Sequence, residues 1–415
     1  MSVTVSEKLD ANRLPKKPFG LKSKHTINRI TLNPSSANPG EKLYVDIPKL
    51  SENVVLVPRT IKLVFNLTES GHANNKFVNN FGRALVRSMK VIFGGEVLQD
   101  TQRYDLIKLY EDYYKNKEEY YDLLSQGVSG ENMRKLRANA GDKSTSNASK
   151  VALAAVHNNR YTIPLDHPIL NDHGVLYLKA LPDTLRFELT LAPVGEVVEY
   201  SSNTPEATYK MTNLELEYGS IHSEYLAGEA ASGYQVGTGF FYENIILHKE
   251  FTISKPNDSV INESINIPRR SMTGILCLFT ESYNAGARDP EKFVNPNITS
   301  VDITIDGMPN QLYSKGIVAP DLWESIKRRL PGKAYRNAKE VDFYTNDKFA
   351  LWIDLRSHFD NDIHDSGFFS NSSHDGVKLL IKRVTGGSGN ITCYMFVVAD
   401  ALMELLGSRL KSILD

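Results

Sequence analysis

Hydrophobic and polar residues alternate with a period of two along most of this chain, the pattern of strands buried on one face. HTINRITL (25–32) and KLYVDI (42–47) alternate in this way. NVVLVPRTIKLVFNLT (53–68) is a longer β-branched run in which Pro58 marks a bend or a break between two strands. SMKVIFGGEVLQ (88–99) predicts two strands around a turn at Gly94-Gly95. RYTIPL (160–165), GVLYLKAL (174–181), TLRFELTLAP (184–193) and TYKMTNLELEYGSI (208–221) predict further strands. In TLRFELTL the faces separate cleanly, Leu185, Phe187, Leu189 and Leu191 against Arg186, Glu188 and Thr190. The second half resumes with FYENIILHKEFTIS (241–254), SINIP (264–268), MTGILCLFTES (272–282) and SVDITIDGMPNQLYS (300–314), which turns at Asp306-Gly307. FALWIDL (349–355), GVKLLIKRV (376–384) and NITCYMFVVA (390–399) complete the strands.

Helical spacing is confined to a few places. In YDLIKLYEDYYKNKEEYYDLL (104–124), Leu106, Leu109 and Tyr113 recur on one face with Tyr110 and Tyr114 beside them. PDLWESIKRRL (320–330) predicts a second helix opened by Pro320. In the tail, Leu402, Leu405, Leu406, Leu410 and Ile413 also recur at helical spacing, although Gly407 weakens that reading. SEYLAGEAASGYQVGTG (223–239) is small, glycine-bearing and strand-poor, and reads as a linker. Residues 1–24 read as an arm, and the polar, Ala-rich stretch 126–158 reads as a long loop.

Each half thus carries about eight strands with one helix midway, and the order repeats. MKVIFGGEVLQDTQRYDLIKLYEDYY and VDITIDGMPNQLYSKGIVAPDLWESIKRR both run strand, Gly (Gly95, Gly307), short strand, then Asp-Leu at a helix start. Asp105 and Asp321 there suit the helix dipole and are placed to satisfy the first amides. The fold class predicted is all-β: two tandem eight-stranded jelly rolls with a short helix inserted in each. The expected division is an arm at 1–24, a first roll at 25–222, a linker at 223–239, a second roll at 240–400 and a tail at 401–415.

Composition narrows the function classes. In 415 residues, 48 basic side chains face 49 acidic ones, so no global attraction to nucleic acid or anionic membrane is expected. Only Cys277 and Cys393 are present, too few for a disulfide framework, and both lie in apolar strands as core residues. No signal-peptide core and no apolar run long enough to span a membrane is found, so synthesis in a reducing, intracellular site is expected. Seven Asn-x-Ser/Thr sequons (Asn66, Asn147, Asn257, Asn262, Asn297, Asn371, Asn390) then reflect turn-rich composition rather than glycosylation. One local charge run stands out: Arg13, Lys16, Lys17, Lys22, Lys24 and Arg29 occur with no acid between them. They are candidates for contact with nucleic acid or a neighbouring subunit, against a solvated tail.

The search for catalytic chemistry returns little. No phosphate-cradling GxxxxGK[ST] and no GxSxG elbow occurs, and GGSGN (386–390) lies between two strands as a hairpin loop. HFDNDIHDSGFF offers His358, Asp360, Asp362, His364 and Asp365 as candidate cation ligands, but the spacing fails a calcium-loop pattern and a surface loop explains it as well. The six tyrosines of 104–124 could stack on bases, yet Glu111, Asp112, Glu118 and Glu119 would repel phosphate, which favours packing against a sheet or a subunit. No enzyme and no cofactor is expected. The rival reading is a jelly-roll carbohydrate- or ligand-binding module, for which Asp354, Asp360 and Asp362 are the nominable cluster. A domesticated cellular protein is a further one.

The runs NPGEKLYVDIPKLSENVVLVPRTIKLVFNL, MKVIFGGEVLQDTQRYDLIKLYEDYY, IDGMPNQLYSKGI and PDLWESIK resemble the major capsid proteins of Polinton/Maverick elements and adintovirus-like viruses. That group belongs to the double jelly-roll lineage that also holds adenovirus hexon and virophage capsid proteins. The resemblance covers roughly residues 25 to 400 and lies in the order of elements rather than in one motif. It implies a homotrimeric, pseudo-hexagonal capsomer of an icosahedral shell, with both rolls perpendicular to the shell. The implied partners are neighbouring capsomers, a single jelly-roll penton protein and minor capsid proteins. The arm would lie at the capsid interior, where DNA contact stays open, and loop 126–158 would crown the outer surface. The implied location is the virion capsid, after synthesis in the host cytoplasm and with the nucleus as a candidate place of assembly.

Overall fold

The computed structural model describes residues 23–70, 76–114, 125–127, 160–167, 170, 174–181, 183–199, 208–281, 290–305, 307–309, 315–330, 339–356, 367–370, 376–406 and 409–413. The first half places β1 (Lys24–Thr31), β2 (Lys42–Ile47), β3 (Val54–Ser70), β4 (Lys76–Phe77), β5 (Val86–Phe93) and β6 (Glu96–Thr101) before the first long connection. After it come β7 (Arg160–Pro164), β8 (Leu185–Leu191), β9 (Val198–Glu199) and β10 (Thr208–His222). One sheet has the order β1-β10-β3-β7 and the other β2-β8-β5-β6, all pairs antiparallel, while β4 and β9 form a separate two-stranded pair.

The second half repeats the plan with β11 (Thr238–Ser254), β12 (Val260–Ile265), β13 (Arg269–Glu281), β14 (Ile298–Ile305), β15 (Met308–Pro309) and β16 (Ile317–Val318). β17 (Ala350–Asp354), β18 (Phe368–Ser370), β19 (Val377–Arg383), β20 (Asn390–Leu406) and β21 (Arg409–Ile413) follow. Its sheets run β11-β20-β13-β17 and β12-β19-β14-β15, with β16 also on β14, β18 on β13 and β21 on β20. Counting the eight main strands of each half, both have the orders first-eighth-third-sixth and second-seventh-fourth-fifth. That shared order is the jelly roll, and the chain is a double jelly roll.

Local chemistry explains most of these elements. β8 buries Leu185, Phe187, Leu189 and Leu191 and leaves the residues between them half-exposed, as its alternation requires. At the β5–β6 turn Phe93 pairs with Glu96, and Gly94 and Gly95 both take positive φ (60° and 89°), which a two-residue hairpin needs. The corresponding turn pairs Ile305 with Met308 and holds Gly307 at φ 80°. Helices α1 (Phe81–Ala84), α2 (Tyr104–Tyr113), α3 (Glu224–Val236), α4 (Leu322–Arg329) and α5 (Glu340–Thr345) fill the connections.

Several expectations are corrected. Of the two readings of Pro58 the bend holds and the break does not: β3 is one strand, with a bulge between Val57 and Lys62, where Thr60 donates to Val57 O and accepts from Gly219 N. The stretch 223–239 is strand-poor as far as Gly237, as expected, and what it adds is a helix, α3, whose N-cap Ser223 accepts from Leu226 N and which ends at Gly237 with φ 98°. The tail is not helical. β20 runs on to Leu406 against β11, burying Ala401, Met403 and Leu405 with period two, and β21 folds back on it. Pairing with β11 outweighs the helical spacing of the leucines. Asp321, at the N-cap of α4, makes no side-chain cap bond, and Asp105, inside the first turn of α2, is paired with Arg103. GGSGN joins β19 to β20, which lie in different sheets, so it is no hairpin.

Candidate functional site at the seam between the rolls

The two rolls meet through unlike sides. The first contributes β6, its fifth main strand, and the helix α2 that follows. The second contributes β11, β20 and the segments around Phe293 and Lys348. From β11, Tyr242 donates through its hydroxyl to Leu98 O at 2.7 Å, and Asn244 Nδ2 donates to Gln99 Oε1 at 3.0 Å. In return Gln99 Nε2 and the Thr101 hydroxyl donate to Ile245 O at 2.8 and 3.2 Å. Asn79 donates to the Glu291 carboxylate at 2.7 Å. These buried polar groups are matched across the seam by partners far away in sequence, which fixes one relative placement of the rolls.

Around α2 the seam is aromatic. Tyr110 and Phe293 meet edge to face at 5.1 Å, and Tyr114 donates to Lys348 O at 3.0 Å while Tyr110 and Tyr114 share a 2.9 Å hydrogen bond. Burial pushes both phenols above their ordinary pKa, so they remain protonated donors. Lys348 Nζ stands 4.2 Å from the Tyr113 ring centre. Packing, rather than base stacking, is therefore what Tyr104, Tyr110, Tyr113 and Tyr114 do, while Tyr120 and Tyr121 lie outside the described residues. Arg103, at a left-handed φ of 55°, pairs with Asp105 at 2.8 Å and Glu196 at 3.2 Å. One continuous apolar cluster runs through both rolls, with Val91, Phe93 and Leu98 meeting Met403.

Behind α2 lies a buried ionic knot that the sequence reading missed. Arg83 is fully buried, with Nε 2.8 Å from Asp112 and Nη1 2.7 Å from Asp166, and Tyr104 donates to Asp166 at 3.1 Å. Two-carboxylate pairing offsets the cost of burying a guanidinium. The signal available was slight: one Arg in the apolar run FGRALV and one Asp on the apolar face of α2.

The basic candidates are only partly described. Arg13, Lys16, Lys17 and Lys22 lie outside the described residues, and Lys24 and Arg29 belong to β1. Arg29 and Lys62 each approach Glu217 to 2.6 Å. Partial burial works against ionisation of Glu217, but these two hydrogen bonds hold its carboxyl below the ordinary value. The charge of Arg29 is thereby matched within the sheet. Of the acidic cluster, Asp354 is buried and held by Arg356 at 2.6 Å, while His358, Asp360, Asp362, His364 and Asp365 lie outside the described residues. Among the described residues no group of three or more His, Cys, Asp or Glu could hold a metal, and no helix is long and apolar enough to cross a membrane.

An open groove of about 360 Å³ follows the outside of the seam, bordered by Asp100, Gln102, Asn244 and Arg269. Most of the polar machinery at the seam is spent on holding the rolls together. Its chemistry is that of an interface.

Neither a protein-family model nor a curated protein sequence matches the chain. Solved structures do. The fold is similar to that in "PBCV-1 virus capsid, quasi-atomic model", with TM-score 0.58 and 10% identity over 95% of this chain and 98% of the other. It is similar to the cryo-EM structure of the Sputnik virophage, with TM-score 0.60 and 9% identity over 100% and 93% of the two chains. The crystal structure of the mavirus major capsid protein gives TM-score 0.53 and 9% identity over 94% and 90%. At these identities the likeness establishes the shared double jelly-roll fold.

Proposed function

We propose that this chain is a viral or virus-like-element major capsid protein, a structural building block and not an enzyme. The observation that carries the reading is the repeated strand order, first-eighth-third-sixth and second-seventh-fourth-fifth, in two rolls joined through unlike sides. Two like bodies joined head to tail use a heterologous contact, the kind that closes into rings. Three chains would then present six similar rolls, a pseudo-hexagonal capsomer able to tile an icosahedral shell. Structures with this fold include a virus capsid and a mavirus major capsid protein, which supports the same reading.

The assignment to the Polinton/Maverick and adintovirus-like group rests on the runs NPGEKLYVDIPKLSENVVLVPRTIKLVFNL, MKVIFGGEVLQDTQRYDLIKLYEDYY, IDGMPNQLYSKGI and PDLWESIK and on the strand–turn–helix order they share in both halves. Within the reading, residues 1–24 form an interior arm whose basic residues meet minor capsid proteins or DNA, and the partners are neighbouring capsomers and a penton protein. The rolls are assigned to 25–222 and 240–400, joined through 223–239, with 401–415 as the tail. Negative-stain electron microscopy of the purified chain tests this. Three-fold particles with six lobes of similar size are expected, and single two-lobed particles would overturn it.

A further inference from the structure

β6 ends one sheet of the first roll, β11 ends one sheet of the second, and the two strands meet at the seam. Side chains close their approach: Tyr242 and Asn244 donate to Leu98 O, and Gln99 and Thr101 donate to Ile245 O. Beside these contacts lies the open groove of about 360 Å³, the size of a small-ligand cleft. Val97, Asp100 and Gln102 border it from the first roll, and Asn244, Ile246 and Arg269 from the second.

Two residues of this groove carry buried polar atoms with no partner among the described residues. Asn244 is only 4% exposed, and its Nδ2 is committed to Leu98 O and Gln99 Oε1 at 3.3 and 3.0 Å, yet its Oδ1 accepts nothing. Arg269 donates from Nη1 to Pro268 O at 2.9 Å, while its buried Nε donates to nothing and no carboxylate pairs with the guanidinium. Desolvation lowers the pKa of Arg269 from the ordinary arginine value, against the opposing influence of Tyr242. Buried polar groups as a rule find partners, and a half-buried cation without a counter-charge is costly. The rest of the border is mixed: Val97 is 39% exposed, Ile246 is half-buried, and Asp100 accepts from Gln102 at 3.2 Å.

We propose that this groove binds an extended acidic peptide segment, with its carboxylate on Arg269, a peptide N–H on Asn244 Oδ1 and an aliphatic side chain against Val97 and Ile246. The open acceptor and open donor match the N–H and C=O that a peptide unit carries. A carboxylate is the planar acceptor that a guanidinium pairs with most strongly. A bare anion or a nucleic-acid phosphate would satisfy Arg269 but leave Asn244 Oδ1 unmet and face Asp100, so a peptide fits better. The occupant would touch β6 in one roll and β11 and the start of β13 in the other, and its binding would hold the rolls together. This binding goes beyond the capsomer reading and does not depend on how many chains assemble.

Isothermal calorimetry on the full chain tests this with N-acetyl-Val-Asp-methylamide as the probe, beside its Val-Asn counterpart and acetate. The Val-Asp compound is expected to bind in the millimolar range or tighter and to raise the melting temperature. The Val-Asn compound and acetate are each expected to bind more weakly by about tenfold, the loss of one charged hydrogen-bonding partner. Arg269→Gln is expected to abolish the preference for Val-Asp over Val-Asn. Asp100→Asn, which removes the one acid on the border, is expected to tighten Val-Asp binding. Circular dichroism shows that each variant has folded, and the comparison of probes on the unaltered protein needs no variant. Absence of Val-Asp binding at millimolar concentration would overturn the proposal, as would equal affinity for the Asp and Asn compounds or a preference that survives Arg269→Gln. Acetate binding as tightly as the peptide would reduce the groove to a site for an adventitious ion only and overturn it equally.

Discussion

The guanidinium carbon of Arg103 lies 4.8 Å from the centre of the Tyr394 ring, joining the start of α2 in the first roll to β20 in the second. Arg103 is almost completely buried together with Asp105. Arg103→Ala would leave that carboxylate buried without its guanidinium, and a loss of about 3–5 kcal/mol in urea unfolding is expected. Tyr394→Phe keeps the ring and removes only a hydroxyl 3.4 Å from Arg103, so a loss below about 1 kcal/mol is expected. Equal effects from the two variants would contradict the role given to the ion pair.

Asp112 tests the knot behind α2. Asp112→Ala strips one of the two carboxylates from buried Arg83 and should cost about 3–5 kcal/mol. Arg83→Met combined with Asp112→Leu replaces the Arg83–Asp112 pair with apolar side chains and should recover part of that loss. A double-mutant cycle by chemical denaturation measures both.

The strands were largely legible in the sequence because a sheet with one buried face writes itself as alternation, as β8 does residue by residue. α3 was not, because Ala227, Ala230 and Tyr234 pack with a weak apolar stripe among small residues. The tail misled for the opposite reason: Leu402, Leu405 and Leu406 suit a helix, and only the presence of β11 alongside makes them a strand. The seam was illegible in principle. Tyr242 and Leu98 stand 144 positions apart, and no local pattern marks residues whose partner belongs to the other roll. Arg83 and Asp112 each look like a surface charge until α1 and α2 are brought together.

His167 sets an acid limit. It is fully buried, and desolvation, helped by Lys108 and opposed by Asp166 and Glu111, pushes its imidazole down to about 3. In the unfolded chain it titrates near 6.5, so between about 6.5 and about 3 the unfolded state takes up a proton that the folded state refuses. Stability therefore falls as pH drops through that window, by up to about 1.4 kcal/mol per pH unit from this group. In His167→Gln the slope of stability against pH should be shallower over that window. An unchanged slope in urea titrations at several pH values would refute the assignment.

Cys277 and Cys393 are free, buried and on adjacent strands, where Cys277 pairs with Met395 and Phe279 with Cys393. Burial raises the Cys393 thiol well above its ordinary value, so little thiolate forms. Neither cysteine is expected to react with a thiol reagent in the folded protein, and both are expected to react in denaturant. Rapid labelling under native conditions would contradict the packing of β13 against β20.

The central claim is that two rolls joined through unlike sides build a three-chain capsomer, and the mass of the full chain in solution addresses it most directly. Light scattering behind a sizing column should give three times the chain mass, unchanged on dilution through the micromolar range. A single-chain mass at micromolar concentration would contradict the claim.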